Sequence, residues 1–139
     1  MIILSVDYGR ARTGVAVCDK NEIIASPVGV IKEYNMDALS CRIAELSKIK
    51  KAEQIVLGLP RNMDGSEGES AQNVRIFADM LREKTGLDVV LRDERCTTVT
   101  AHEYLNITDT RGKKRKAVVD SVAAVIILED YLNFRRNNK

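Results

Sequence analysis

Asp7, Glu94 and Asp120 are acidic residues at places where fold-building has little use for a carboxylate. Asp7 closes the apolar run Ile2-Ile3-Leu4-Ser5-Val6 and opens the turn Asp7-Tyr8-Gly9-Arg10. Glu94 follows Val89-Val90-Leu91 within Arg92-Asp93-Glu94-Arg95, and Asp120 interrupts an otherwise apolar helical stretch over 117–132. A carboxylate held against a core is costly unless it is paired, hydrogen-bonded or bound to a metal. Three such groups from distant parts of the chain point to one divalent-cation site. Hard cations such as Mg²⁺ and Mn²⁺ prefer carboxylate oxygens, and no His/Cys set competes for a softer ion. A cation held this way activates water and stabilises an in-line displacement, so metal-dependent phosphodiester cleavage is the expected chemistry.

Each residue also has an ordinary structural explanation. Asp before glycine is common in turns, which would account for Asp7. The helix dipole would account for Asp120 if it lay near an exposed helix start. Ion pairing with Arg92 or Arg95 would account for Glu94 or its neighbour Asp93, which cannot both point the same way from an extended chain. His102 is the only histidine, so a nucleophile–histidine pair has one potential base. It falls on a short amphipathic stretch where a surface role suffices.

The segment Arg111-Gly112-Lys113-Lys114-Arg115-Lys116 carries five positive charges in six residues. It directly precedes the Asp120 helix and is expected to be a flexible basic loop. Beside an acidic metal centre, such a cluster suits a polyanionic substrate. Arg12, Arg95, Lys113, Lys114, Arg115 and Lys116 are therefore candidate nucleic-acid contacts. The six aromatic residues include no Trp and do not interleave with the basic ones, so base stacking is not expected.

These residues need a scaffold, and 139 residues suffice for one domain over 1–139 with a core of its own. A net charge of +2 says little about partners. Cys18, Cys41 and Cys96 are isolated and odd in number, which disfavours a disulfide framework or zinc site and fits a reducing compartment. The N-terminal run lacks a basic region and meets Asp7 early, so neither a signal peptide nor a membrane span is expected. The expected location is the cytoplasm.

Apolar patterning predicts strands over 2–7, 13–18 and 23–31, joined by connections short enough for antiparallel neighbours. A helix over 36–49 follows, with Leu39, Ile43, Leu46 and Ile49 on one face. Then come a strand over 54–59, a helix over 71–81 that stops near Gly86, and a strand over 87–91. A short helix over 98–105 and a last helix over 118–132 complete the chain. The expected fold is α/β: a mixed five-stranded sheet, three antiparallel strands then αβαβ, flanked by helices. Ligands of such sheets collect beyond the carboxyl ends of the parallel strands, where Asp7, Pro60 and Glu94 all fall.

Four blocks together resemble the signatures of the YqgF family. They are Asp7-Tyr8-Gly9-Arg10-Ala11-Arg12-Thr13-Gly14-Val15-Ala16, Gly58-Leu59-Pro60-Arg61-Asn62-Met63-Asp64-Gly65-Ser66, Asp93-Glu94-Arg95-Cys96-Thr97-Thr98 and Val119-Asp120-Ser121-Val122-Ala123-Ala124. The family is similar to RuvC-type Holliday-junction resolvases and has the ribonuclease H-like fold. The resemblance implies a bacterial cytoplasmic nuclease acting in 5′-end maturation of pre-16S ribosomal RNA. It carries the family's acidic positions onto Asp7, Glu94 and Asp120, and its first-block arginine onto Arg12. Cys96 stands where an apolar residue is usual, and Thr100 where an acidic one is common. Neither removes a proposed ligand.

The expected function is a nuclease using Mg²⁺ or Mn²⁺ on precursor rRNA, with the small ribosomal subunit as a partner. Two alternatives are a resolvase acting on branched DNA and a non-catalytic RNA-binding assembly factor. A third takes Asp-Tyr-Gly as the phosphate loop of a sugar-kinase or actin-like ATPase, but those need two such domains. No membrane partner is expected, and the chain is expected to be a monomer or weak dimer.

Overall fold

The computed structural model describes residues 1–60, 68–93 and 112–137, with residues 112–121 described by their backbone alone. Five strands, β1 (Ile3–Asp7), β2 (Arg12–Cys18), β3 (Ala25–Lys32), β4 (Gln54–Leu59) and β5 (Asp88–Asp93), form one sheet in the order β3-β2-β1-β4-β5. The first three pair antiparallel, whereas β1, β4 and β5 run parallel. Helices α1 (Met36–Ile49), α2 (Glu69–Thr85) and α3 (Gly112–Asn137) supply the covering layers. The mixed sheet expected from the sequence is the sheet observed. The short helix expected over 98–105 lies outside the described residues.

Alternation along the strands sorts side chains onto two faces. Leu4 and Val6 of β1 pack with Leu39 and Ile43 of α1 and with Val74, Phe77 and Leu81 of α2. Ile3, Ala16 and Val56 pack instead with Ala124, Ile127, Leu128 and Tyr131 of α3. β4 is an interior strand, buried throughout and without polar alternation, as a parallel strand covered on both faces must be.

Helix ends follow local chemistry. The Asn35 side chain accepts from the Ala38 N–H and starts α1 at the predicted residue, the ordinary N-cap arrangement. Gly86 ends α2 with φ +69°, a left-handed conformation that a side chain disfavours.

Two expectations are corrected. The strand expected from residue 23 begins at Ala25, because the Asp19 carboxylate accepts from the N–H groups of Asn21, Ile23 and Ile24. Those bonds hold a turn, hold the Asp19 carboxyl below its usual range, and leave Ile23 and Ile24 exposed. The second correction concerns the last helix, which begins at Gly112 and not near 118. Lys113, Lys114, Arg115 and Lys116 are therefore helical and do not form a loop. Lysine and arginine are good helix formers, and a charge run read as solvated loop passes equally well for a solvated first turn.

The far end of α3 is tied down at the opposite edge of the sheet. Tyr131 donates its hydroxyl to Gln54 Oε1 at 2.8 Å, and Gln54 Nε2 donates to Asp88 at 2.9 Å. Arg135 donates to Glu22 at 2.5 Å, with the Glu22 side chain only 13% exposed. That hydrogen bond holds the Glu22 carboxyl below its ordinary value of 4.5. Its contribution to stability is thus complete above pH 4.5 and is lost as the pH falls through the lowered value. Glu22→Gln is expected to lower neutral-pH stability by about 1.5–3 kcal/mol, the range for a charged hydrogen bond. It should also flatten the acid limb of a plot of Tm against pH. Parallel acid limbs for variant and wild type would remove this pair as an anchor.

Candidate active site

The parallel strands β1, β4 and β5 all end at one edge, at Asp7, Leu59 and Asp93. With strands about 4.8 Å apart, β1 and β5 are separated by roughly 10 Å across β4. Asp7 has the parity of Ile3 and Ser5, which places it on the α3 face. The register pairs Asp7 with Gly14 on β2. Val6 pairs with Leu57, so Gly58 follows at the level of Asp7 on β4. The half-buried carboxylate of Asp7 therefore sits between two positions that carry no side chain. Gly14 and Gly58 belong to separate sequence blocks, and only strand register brings them to either side of Asp7.

α3 runs antiparallel to β1 on this face. Its Arg135 meets Glu22 and its Tyr131 meets Gln54, a residue level with Ile3. Further along, Ser5 donates its buried hydroxyl to the Ala124 carbonyl at 2.7 Å. Ala123 and Ala124 are fully buried, and their small side chains permit this approach of helix to strand. From Ser5 to Asp7 the strand advances about 6.6 Å. From Ala124 back to Asp120 the helix rises about 6 Å in the same direction. Position 120 also shares the helical stripe of 124, 127, 128 and 131. Because α3 begins at Gly112, Asp120 lies more than two turns inside it. A dipole effect fades within the first turn, so it does not account for an aspartate there.

At the third strand end, Asp93 has the parity of Val89 and Leu91, which face α1 and α2. Arg92 faces α3 instead, donating to Asp130 at 2.7 Å and lying 4.6 Å from the Phe134 ring centroid. Arg92 thus fastens β5 to α3. Glu94 and Arg95 lie outside the described residues, as do residues 61–66 of the glycine-containing block. Among the described residues no three carboxylate, histidine or cysteine groups gather. Of the expected trio, only Asp7 has a described side chain. The donor chemistry of that trio, all carboxylate oxygen, fits a hard divalent cation.

The turn from β1 to β2 is held from both sides. Thr13 bridges back to the N–H and carbonyl of Gly9, and a Cβ on Gly9 would collide with the Arg12 carbonyl oxygen. Tyr8 faces the other way from Asp7 and packs on Phe77, with ring centroids 4.9 Å apart. Arg12 has the parity of Gly14 and shares the face of Asp7. At the start of α3, Lys113, Lys114 and Arg115 place cations where the helix dipole is positive, a local cost of about 0.3–1 kcal/mol each. Helix formation offers no reason for that choice, whereas an anion nearby would.

Residues 1–134 match the family model described as RuvX, Holliday junction resolvase. The chain belongs to the RuvX family. A RuvX relative from Agathobacter rectalis, named "Putative pre-16S rRNA nuclease", is 39% identical over all of this chain and 99% of its own length. One of the same name from Streptomyces avermitilis is 42% identical, over 96% of this chain and 86% of its own. Among solved structures, Thermus thermophilus RuvC superposes with TM-score 0.61 at 13% identity, covering 99% of this chain and 97% of RuvC. The fowlpox virus resolvase bound to Holliday junction DNA gives 0.60 at 15% identity, covering 97% and 99%. At such identities these two likenesses speak for the RuvX fold alone, and that fold is ribonuclease H-like. No helix among the described residues is long and apolar enough to cross a membrane.

Proposed function

We propose that this RuvX chain is a nuclease that hydrolyses phosphodiester bonds in precursor 16S rRNA during 5′-end maturation, in the cytoplasm. Asp7 and Asp120 would hold Mg²⁺ or Mn²⁺, with Glu94 as a third ligand or as the residue that orients the attacking water. The ion, when bound, supplies an activated water and charge stabilisation for in-line displacement. Arg12, Arg95 and the basic cluster at 113–116 would hold the phosphate backbone. The observation that carries this reading is the antiparallel register of α3 on β1, which sets residue 120 level with Asp7. The glycines beside Asp7 and the pre-16S names of the relatives lend further support. The parity of Asp93, which turns it toward α1 and α2, supports assigning the third position to Glu94.

The family description favours branched DNA as a second substrate class. Symmetric resolution of a four-way junction needs two active sites and hence a dimer, whereas cutting one RNA strand needs one. Water activated at a ribonuclease H-like site leaves a 5′-phosphate and a 3′-hydroxyl, whereas attack by the 2′-hydroxyl would leave a cyclic phosphate. Depleting the protein in its host is expected to lead to accumulation of small-subunit rRNA with an extended 5′ end. Normal maturation, together with symmetric cutting of junction DNA by the purified protein and no cutting of precursor RNA, would transfer the assignment to resolvase. Binding that survives EDTA and carboxylate substitution, with no cleavage, would make the chain an assembly factor.

A further inference from the structure

On the α1/α2 side of the β1–β2 turn, back to back with Asp7, lies a cleft of about 510 Å³. That volume is within the range of small-ligand sites. Its wall includes Tyr8, Arg10, Tyr34, Glu69, Ser70 and Asn73. The register explains why Arg10 and Tyr34, far apart in sequence, meet there. Arg12 pairs with Lys32, and the Glu33 N–H donates to the Ala11 carbonyl, so Tyr34 comes level with Arg10 at the next step. Tyr34 is 80% exposed, an aromatic ring left in water at the mouth of a polar cleft. Tyr8 differs, because its packing against Phe77 makes it a fixed inner wall.

Folding does not account for an exposed tyrosine beside an exposed arginine at this edge. Recognition of an unpaired nucleotide does, because such sites combine an aromatic face for the base, a cation for the backbone and a few polar groups for the base edge. Glu69 and Asn73 lie one turn apart on α2 and supply an acceptor and a mixed donor–acceptor amide, with the Ser70 hydroxyl between them.

Building on the nuclease reading, we infer that this cleft is a subsite for one unpaired nucleobase next to the cleaved phosphate, with Tyr34 as its stacking platform and Arg10 on the adjoining backbone. A strand crossing the carboxyl edge of the sheet at Asp7 passes over the β1–β2 turn and enters the cleft directly. The site therefore selects substrates that are single-stranded at that point. Fully paired ones present no base to it.

The test uses the full chain in EDTA, with fluorescence anisotropy reporting binding of a short single-stranded RNA and of the blunt duplex of the same sequence. Tyr34→Ala is expected to weaken single-strand binding roughly five- to hundredfold, the span of one lost stacking contact. Duplex binding should stay within twofold, and Tyr34→Phe should retain wild-type affinity. Because Tyr34 is exposed, the variants should keep the wild-type Tm. Equal losses for both probes, unchanged single-strand binding, or no single-strand binding by the wild type would each overturn the subsite. If the Tyr34-dependent preference appears but Mg²⁺ or Mn²⁺ elicits no cleavage, the subsite stands and the nuclease reading falls.

Discussion

Replacing Asp7 or Asp120 with asparagine is expected to reduce cleavage of precursor RNA by at least about 10²–10³-fold, the cost of removing one preorganised electrostatic group. The amide preserves shape and removes the charge that would hold a divalent cation. The fold should survive, since Asp7 lies half-buried at the strand end and the apolar contacts of β1 are made by Ile3, Leu4 and Val6. In EDTA the variants should melt no lower than the wild type, because the carboxylates proposed to share the site would repel one another without a cation. Adding Mg²⁺ or Mn²⁺ should then raise the Tm of the wild type only. At a hundredfold excess over Kd the gain is about 2.7 kcal/mol. Calorimetry with and without metal, paired with end-mapped cleavage assays, reads both effects. Full activity in either variant on a verified substrate would sink the metal-site assignment.

Neutralising Lys113, Lys114, Arg115 and Lys116 together should separate binding from folding. Each lost phosphate contact lowers the slope of log affinity against log salt by roughly 0.7–0.9, so four contacts remove roughly 3. Stability should move the other way. Three of these cations occupy the first turn of α3, where the dipole disfavours them, and glutamine keeps the helix propensity without the charge. The expected signature is weaker, less salt-sensitive binding in a protein that melts at the same or a higher temperature. A salt titration beside a melting curve suffices to check it. An unchanged slope would return the cluster to a solvated helix start.

Much of the architecture could be read from local pattern. The period of Leu39, Ile43 and Leu46 marked α1, Gly86 marked the end of α2, and the apolar run over 54–59 marked β4. These features lie within a few residues of one another, and near-neighbour chemistry decides them. The same holds for the acidic residues, which stood out because a carboxylate beside apolar runs conflicts with burial. Where the reading failed, a competing local interaction was hidden. Asp19 drew the N–H groups of Ile23 and Ile24 into a turn despite their strand-like composition, and the basic run formed helix where charge had suggested a loop.

Relations between distant residues were decided only by the tertiary structure. That Asp7 lies between Gly14 and Gly58 depends on strand order and register, which no single segment contains. Arg92 stands beside Asp93 in the sequence, yet its side chain meets Asp130 and Phe134 on α3, about 40 positions away. The direction of α3, which brings residue 120 toward Asp7, is set by Ser5–Ala124, Tyr131–Gln54 and Arg135–Glu22, contacts between residues about 80 to 120 positions apart. Aromatic and basic residues do not interleave along the chain, but pairing of β2 with β3 sets Tyr34 beside Arg10. Local sequence determines which groups are available, and the sheet's long-range register determines which of them meet.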